Sequence, residues 1–280
     1  MSWTRISHKN PQYQGMKMLI NTVILFLRDA LPIFIVFVLL LGLFEEKIKP
    51  RSWLYFALML GITLALILLV NINWVSELLD GTGHETLNAL LICISYFMLI
   101  SLVVIANNSG VSIHKLTALL IISGALSVIT NGTDFLIFLT GFWSNTDNAT
   151  SLSLGIILGF GICFSISVLI YFLIHYLKER FSEKIIQTIL ILYSAGQLSK
   201  VTILLAQADL LPATAIAWNS DVYISDSKEL GHLLSSLIGY ESSPTYLHVI
   251  TYLLAIIVPY IYFLKQNSNR KITSCEEPNT

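Results

Sequence analysis

Seven long apolar runs, separated by polar segments, organise the chain between residues 19 and 264. They lie near 19–43, 53–73, 87–106, 116–142, 152–177, 185–207 and 246–264. A bilayer core takes about 20 apolar residues in helical form. Hydrocarbon offers no partner to a free backbone amide or carbonyl, so the segments that cross it fold as helices. The pattern therefore predicts an all-α polytopic membrane protein of seven transmembrane helices, with an N-terminal tail over 1–18 and a second tail over 265–280. Most linkers are short, such as EEKIKPRS, SNTDNATS and KERFSEK. The exception runs from Asp209 to Thr245 and carries a weakly apolar patch, ELGHLLSSLIGY. That patch is too short to span and suits an interfacial or re-entrant helix.

Composition agrees. Of 280 residues 55% are hydrophobic and 12% charged, and the mean hydropathy is +0.75. This excludes a disordered chain, a disulfide scaffold and an ordinary cytosolic enzyme. The net charge of −1 gives no reason to expect a nucleic-acid partner, and the lipid bilayer is the expected one. Cys93, Cys163 and Cys275 form no C-x-x-C pair, and no phosphate-binding loop, nucleophile elbow or dinucleotide fingerprint is present, so no enzymatic activity is expected.

Basic residues set the orientation. Ten Lys and Arg follow the first, third, fifth and seventh runs, against four on the opposite side: Lys228 and, in the N-terminal tail, Arg5, Lys9 and Lys17. The N terminus is thus expected outside and the C terminus in the cytoplasm. The first run is too long for a signal peptide and no small-residue cleavage site follows it. Nine acids fall on the outer side, among them Glu77, Asp80 and Glu85, which cluster with His84 in one loop as a weak candidate for cation capture.

Four ionisable residues stand out inside the runs: Arg28, Asp29, Asp134 and Lys200. Charge at membrane depth is expensive unless it faces a cavity or a partner. Arg28 and Asp134 each lie about nine residues from the outer end of their runs, roughly 13 Å. They share a depth, either as a polar ion site between the first and fourth spans or as an internal pair that only holds helices together. Pro32 would free the carbonyl of Arg28, four residues back. The segment TNGTD, with Thr130, Asn131, Thr133 and Asp134, puts four polar side chains into the fourth run and must face protein or water. His175 and His248 lie near span ends, where capping is the default role.

The run INTVILFLRDALPIFIVFVLL resembles the first span of the oxidase-dependent iron permease family, in the iron/lead transporter superfamily. Fungal high-affinity iron permeases and bacterial elemental-iron-uptake permeases belong to it. The family's Arg-Glu-Gly-Leu-Glu type motif would read Arg28, Asp29, Ala30, Leu31, Pro32 in its first copy. The second would read Thr130, Asn131, Gly132, Thr133, Asp134. The stretch from Ala217 to Pro259 is similar to the family's last outer loop and seventh span. The resemblance implies seven spans, with one to three and four to six as inverted repeats. It also implies translocation of iron or a related cation across the inner membrane, with no covalently bound cofactor and iron as the transported ion. Delivery would come from a multicopper oxidase or a periplasmic iron-binding protein. Asp29 and Asp134 would face the ion, Arg28 would orient Asp29, and Thr130, Asn131 and Thr133 would offer neutral oxygens.

The motifs are degenerate. The first copy holds Pro32 in place of its second acid, and the second copy holds Thr130 and Asn131 in place of Arg and an acid. Lys200 stands in the sixth run where the family tends to have a small residue. Arg28, Asp29, Asp134 and Lys200 sum to zero charge. A hard cation such as ferric iron prefers carboxylate oxygen, so two alternatives stand beside iron permease. One is a non-transporting subunit or sensor plugged by Lys200. The other is a transporter of a different metal or solute.

Overall fold

The computed structural model describes residues 11–49, 51–107, 111–143, 149–212, 214–226 and 228–275. Arg5 and Lys9 of the basic tail lie outside them. Among the described residues the fold is all helical, with one isolated antiparallel bridge, Ile216 to Thr245. The helices are α1 (Pro11–Leu25), α2 (Leu31–Phe44), α3 (Ser52–Val70), α4 (Ile72–Glu77), α5 (Gly83–Ala106), α6 (Ile113–Trp143), α7 (Ala149–Arg180), α8 (Glu183–Gln207), α9 (Glu229–Ile238) and α10 (Tyr246–Cys275). A π-helical turn, Phe26–Ala30, joins α1 to α2, so these form one long helix. Six helices are long and apolar enough to cross a membrane, and the apolar part of α10, Tyr246–Tyr262, is shorter. The protein is a polytopic membrane protein.

The first long helix is the centre. In its most apolar stretch 72% of residues are buried, against 22% for α3 and 17% for α7, which form the periphery. Leu31, Ile35, Leu39 and Leu40 are fully enclosed. The packing pairs α3 with α6, α1 and α2 with α7, and α5 with α8, while α10 lies on α8. Stacked Leu, Ile and Phe side chains fill the part of the bundle between α2 and the ends of α5 and α8. The polar residues of the long helices collect towards the other end.

The Asp209–Thr245 segment folds back onto the bundle. Its α9 packs on α8, on α2 and on the π turn, and the Ser236 hydroxyl donates to the Leu27 carbonyl at 3.1 Å. The patch therefore folds inward against the middle of the first long helix. Gly239 closes α9 in the left-handed region (φ 68) and lies against Gly196 of α8. A Cβ on Gly196 would stand 2.6 Å from the Gly239 Cα, a backbone atom with no side-chain freedom to yield.

Gly196→Val should therefore lift α9 off the bundle, and Gly239→Ala should cost about 1–2 kcal/mol in backbone strain alone. Thermal unfolding in detergent tests both. A wild-type melting temperature for Gly196→Val would show that the contact is dispensable.

Candidate functional site

The π turn carries the first charged pair. The Leu31 amide bonds to the Phe26 carbonyl, five residues back, which inserts one residue into the helix just before Pro32. Pro32 has no N–H to return. The carbonyl that is capped is that of Leu27, by Ser236, one position earlier than the Arg28 carbonyl that an unbroken α-helix would leave free. Cys163 of α7 reaches the Phe26 carbonyl at 3.4 Å, and the buried Tyr193 hydroxyl of α8 donates to that of Pro32 at 3.1 Å. Protein side chains thus satisfy carbonyls on both sides of the defect.

Arg28 and Asp29 are neighbours and bond to each other. Nε and Nη2 of Arg28 reach Oδ1 and Oδ2 of Asp29, each at 2.8 Å. Asp29 is nearly enclosed and Arg28 half-buried, with side-chain exposures of 10% and 44%. The guanidinium also lies 4.6 Å from the centre of the Phe138 ring of α6, a contact of cation–π type. Its plane is held by two partners, so it orients Asp29 and is itself held.

The second motif lies on α6, which runs through TNGTD without a break. The back-bonded hydroxyls explain why: Thr130 donates to Leu126 and Ser127 carbonyls, Thr133 to that of Ile129, and the Asn131 amide to that of Ser127. Thr130, Asn131 and Asp134 share a face and line the cavity that Asp29 lines. Thr133 does not. It faces a narrow apolar crevice beside Ile72, Leu87 and Leu91, because at about 100° per residue it points away from Asn131, two positions earlier, and lies beyond Thr130 on the edge of the shared face. Asp134 accepts a hydrogen bond from the Asn88 amide of α5 at 3.3 Å and lies 3.6 Å from His84 Nε2.

The cavity encloses 380 Å³ between the first long helix, α5, α6, α8, α9 and the start of α10. Lys200 lines it from α8, within electrostatic reach of Asp29, Asp134 and Arg28. Gln197 and Gln207 flank Lys200. The outer segment adds Asp226, His232, Tyr240 and Glu241, and α10 adds His248. Burial, with Asp226 nearby, pushes the Glu241 carboxyl above its usual range. By formal charge the cavity holds four acids against one arginine and one lysine, −2 with every acid ionised and its histidines neutral. The neutrality expected from the four residues within the runs does not describe the site as a whole.

The loop cluster is not brought together. Glu77 and Asp80 are exposed, and Leu79 and Asp80 adopt left-handed backbone in a tight turn before α5. His84 and Glu85, on the first turn of α5, line a shallow hollow with Asp134. Among the described residues no three His, Cys, Asp or Glu side chains gather to hold a metal ion.

Two acids at one cavity, from the first long helix and from α6, fit the pattern of the resemblance. The model of the iron permease FTR1 family matches residues 19–266. The chain belongs to this family. No curated protein and no solved structure matches it. Membership in the iron permease FTR1 family makes the chain a relative of membrane transporters of iron, and the match takes in every cavity residue named above. Sequence reasoning missed Asn88, Gln197, Gln207 and Phe138. The available signal for Gln197 and Gln207 was their helical spacing from Lys200, three residues before it and seven after it.

Removing one member of the Arg28–Asp29 pair strands the other. Arg28→Met should lower stability by about 1–3 kcal/mol, through loss of charge-assisted hydrogen bonds. Arg28→Met combined with Asp29→Asn should recover at least about 1 kcal/mol of that. Melting temperatures of both single variants and the double variant close the cycle; simple additivity would mean the two side chains do not act as a unit.

Proposed function

We propose that the chain is a permease moving iron, or a closely related cation, across the inner membrane by way of this cavity. The observation that carries the reading is the meeting of Asp29 and Asp134 across one polar cavity in a chain of the iron permease family. Asp29, oriented by Arg28, and Asp134, held by Asn88, supply the charged oxygens; Thr130 and Asn131 supply neutral ones. A cation that gives up part of its water shell needs such ligands in a space closed to lipid. Delivery on the outer face falls to a multicopper oxidase or a periplasmic iron-binding protein.

The proposed topology has seven spans, an outer N terminus, an inner C terminus and an inverted repeat. The first unit is the first long helix with α3 and α5, and the second is α6, α7 and α8. The packing supports this. Exchanging the units turns the α3–α6 contact into the contact of α7 with the first long helix, and maps α5–α8 onto itself. After replacement of the natural cysteines, single cysteines at Asp80 and at Glu46 should behave oppositely towards an impermeant thiol reagent in intact cells. Asp80 should label and Glu46 should not, and labelling at Glu46 would overturn the orientation.

Asp134→Asn should abolish uptake of radioactive iron in cells while leaving the protein inserted and abundant. Unchanged uptake would remove the site from the pathway. Lys200 favours a second reading, a plugged relative, because its ammonium shares the cavity with both acids. Lys200→Gly separates the two: uptake falls if Lys200 moves with the transport cycle, and rises from a low level if it is a plug.

A further inference from the structure

The cavity has a second group of ionisable side chains, at the end built by the outer segment. Oδ2 of Asp226 accepts from the Ser242 amide at 2.8 Å and from the Ser242 hydroxyl at 2.7 Å. Its Oδ1 is buried without a hydrogen-bond partner. Beside it, Oε2 of Glu241 and Nδ1 of His248 stand 3.1 Å apart, and the His248 side chain is only 7% exposed. Both atoms are buried and neither has a hydrogen-bond partner.

A close, buried carboxylate–imidazole contact without a hydrogen bond is unfavourable by itself. It is the spacing of two ligands on one metal ion. Bonds of about 2.1 Å meeting at roughly 90–109° set the two donor atoms about 3.0–3.4 Å apart. We propose that Glu241 and His248 form a second cation site, which takes a borderline divalent transition-metal ion such as ferrous iron through Oε2 and Nδ1. Water completes the shell, and Asp226 adds negative charge beside it. The imidazole favours such an ion over magnesium or calcium, which prefer oxygen alone.

Two protein donors make an exchangeable site, and passage through a pore needs binding weak enough to release. Lys200 is within electrostatic reach of His248 as well as of Asp29 and Asp134. An ion held at Glu241 and His248 therefore shares the cavity with the acid pair, within reach of the same flexible ammonium. This role rests on the permease reading, whereas the binding itself does not.

The test uses the full chain in detergent with Co²⁺ as the probe, by equilibrium dialysis and visible absorption. Glu241→Gln and His248→Gln should each weaken one class of Co²⁺ binding at least about tenfold, and Asp134→Asn should leave that class intact. Wild-type binding by both Glu241→Gln and His248→Gln overturns the inference, even where Asp134→Asn abolishes uptake and the permease reading stands. Loss of binding in both, alongside unchanged uptake in Asp134→Asn, upholds the site and sinks the permease reading instead. A measurement on the wild type covers variants that fail to fold. Co²⁺ should slow diethyl pyrocarbonate modification of His248 relative to the exposed His114, read by peptide mass, and equal rates with and without Co²⁺ overturn the site.

Discussion

Hydrocarbon cannot satisfy a backbone polar group, and the first long helix breaks its own hydrogen-bond ladder in its middle. The π turn at Phe26–Ala30 and the missing N–H of Pro32 free the Leu27 carbonyl where water is scarce. Ser236 of α9 caps it, and Cys163 of α7 and Tyr193 of α8 add bonds to the nearby Phe26 and Pro32 carbonyls. Each bond draws one element to the same short segment. π turns of this kind commonly occur at functional positions, and here the turn contains Arg28 and Asp29. The local defect that would weaken an isolated helix is what fixes the charged pair and the walls around it.

Electrostatics then decides what such a pocket accepts. Arg28 neutralises Asp29 at close range through two hydrogen bonds and is turned towards Phe138 on its other side. Asp134 is held by an amide and approached by an imidazole, neither of which carries fixed charge. Lys200 lines the cavity with a long, flexible stem, so its charge can move relative to the acids. The four charged cavity residues on the first long helix, α6 and α8 sum to zero, and the outer segment adds two carboxyl groups. The field in the cavity therefore comes as much from the loop as from the motifs.

The long apolar helices were legible because a bilayer forces long apolar runs and leaves few alternatives. Counting residues at 1.5 Å per residue put Arg28 and Asp134 at a similar level, and both line the one cavity. Thr133 was misplaced although helical geometry held the answer: of Thr130, Asn131, Thr133 and Asp134 it alone departs from their shared face. The loop cluster of Glu77, Asp80, His84 and Glu85 looked compact in sequence. Two left-handed residues break it, and sequence proximity does not report such a turn. The contributions of Asp226 and Glu241 were illegible for a different reason. They belong to a segment whose position depends on the Gly196–Gly239 contact and on Ser236 finding a carbonyl, both set by tertiary packing.

The motif departures and the loop acids belong to one argument. A cation site needs negative potential, oxygen ligands and exclusion of lipid; it does not need every carboxylate to stand in a particular motif. Pro32 and Asn131 occupy motif positions where the resemblance expects acids, and each loss removes one charge from the helix-borne part of the site. Asp226 and Glu241 line the same cavity from the outer segment and bring its net charge to −2, so the potential that attracts a cation survives. What changes is where the ion first meets it. With the acids spread over the π turn, α6 and the segment that precedes α10, the negative charge is extended along the cavity. That arrangement suits an ion passing through better than one held in place, since multiple weak positions allow release as well as entry.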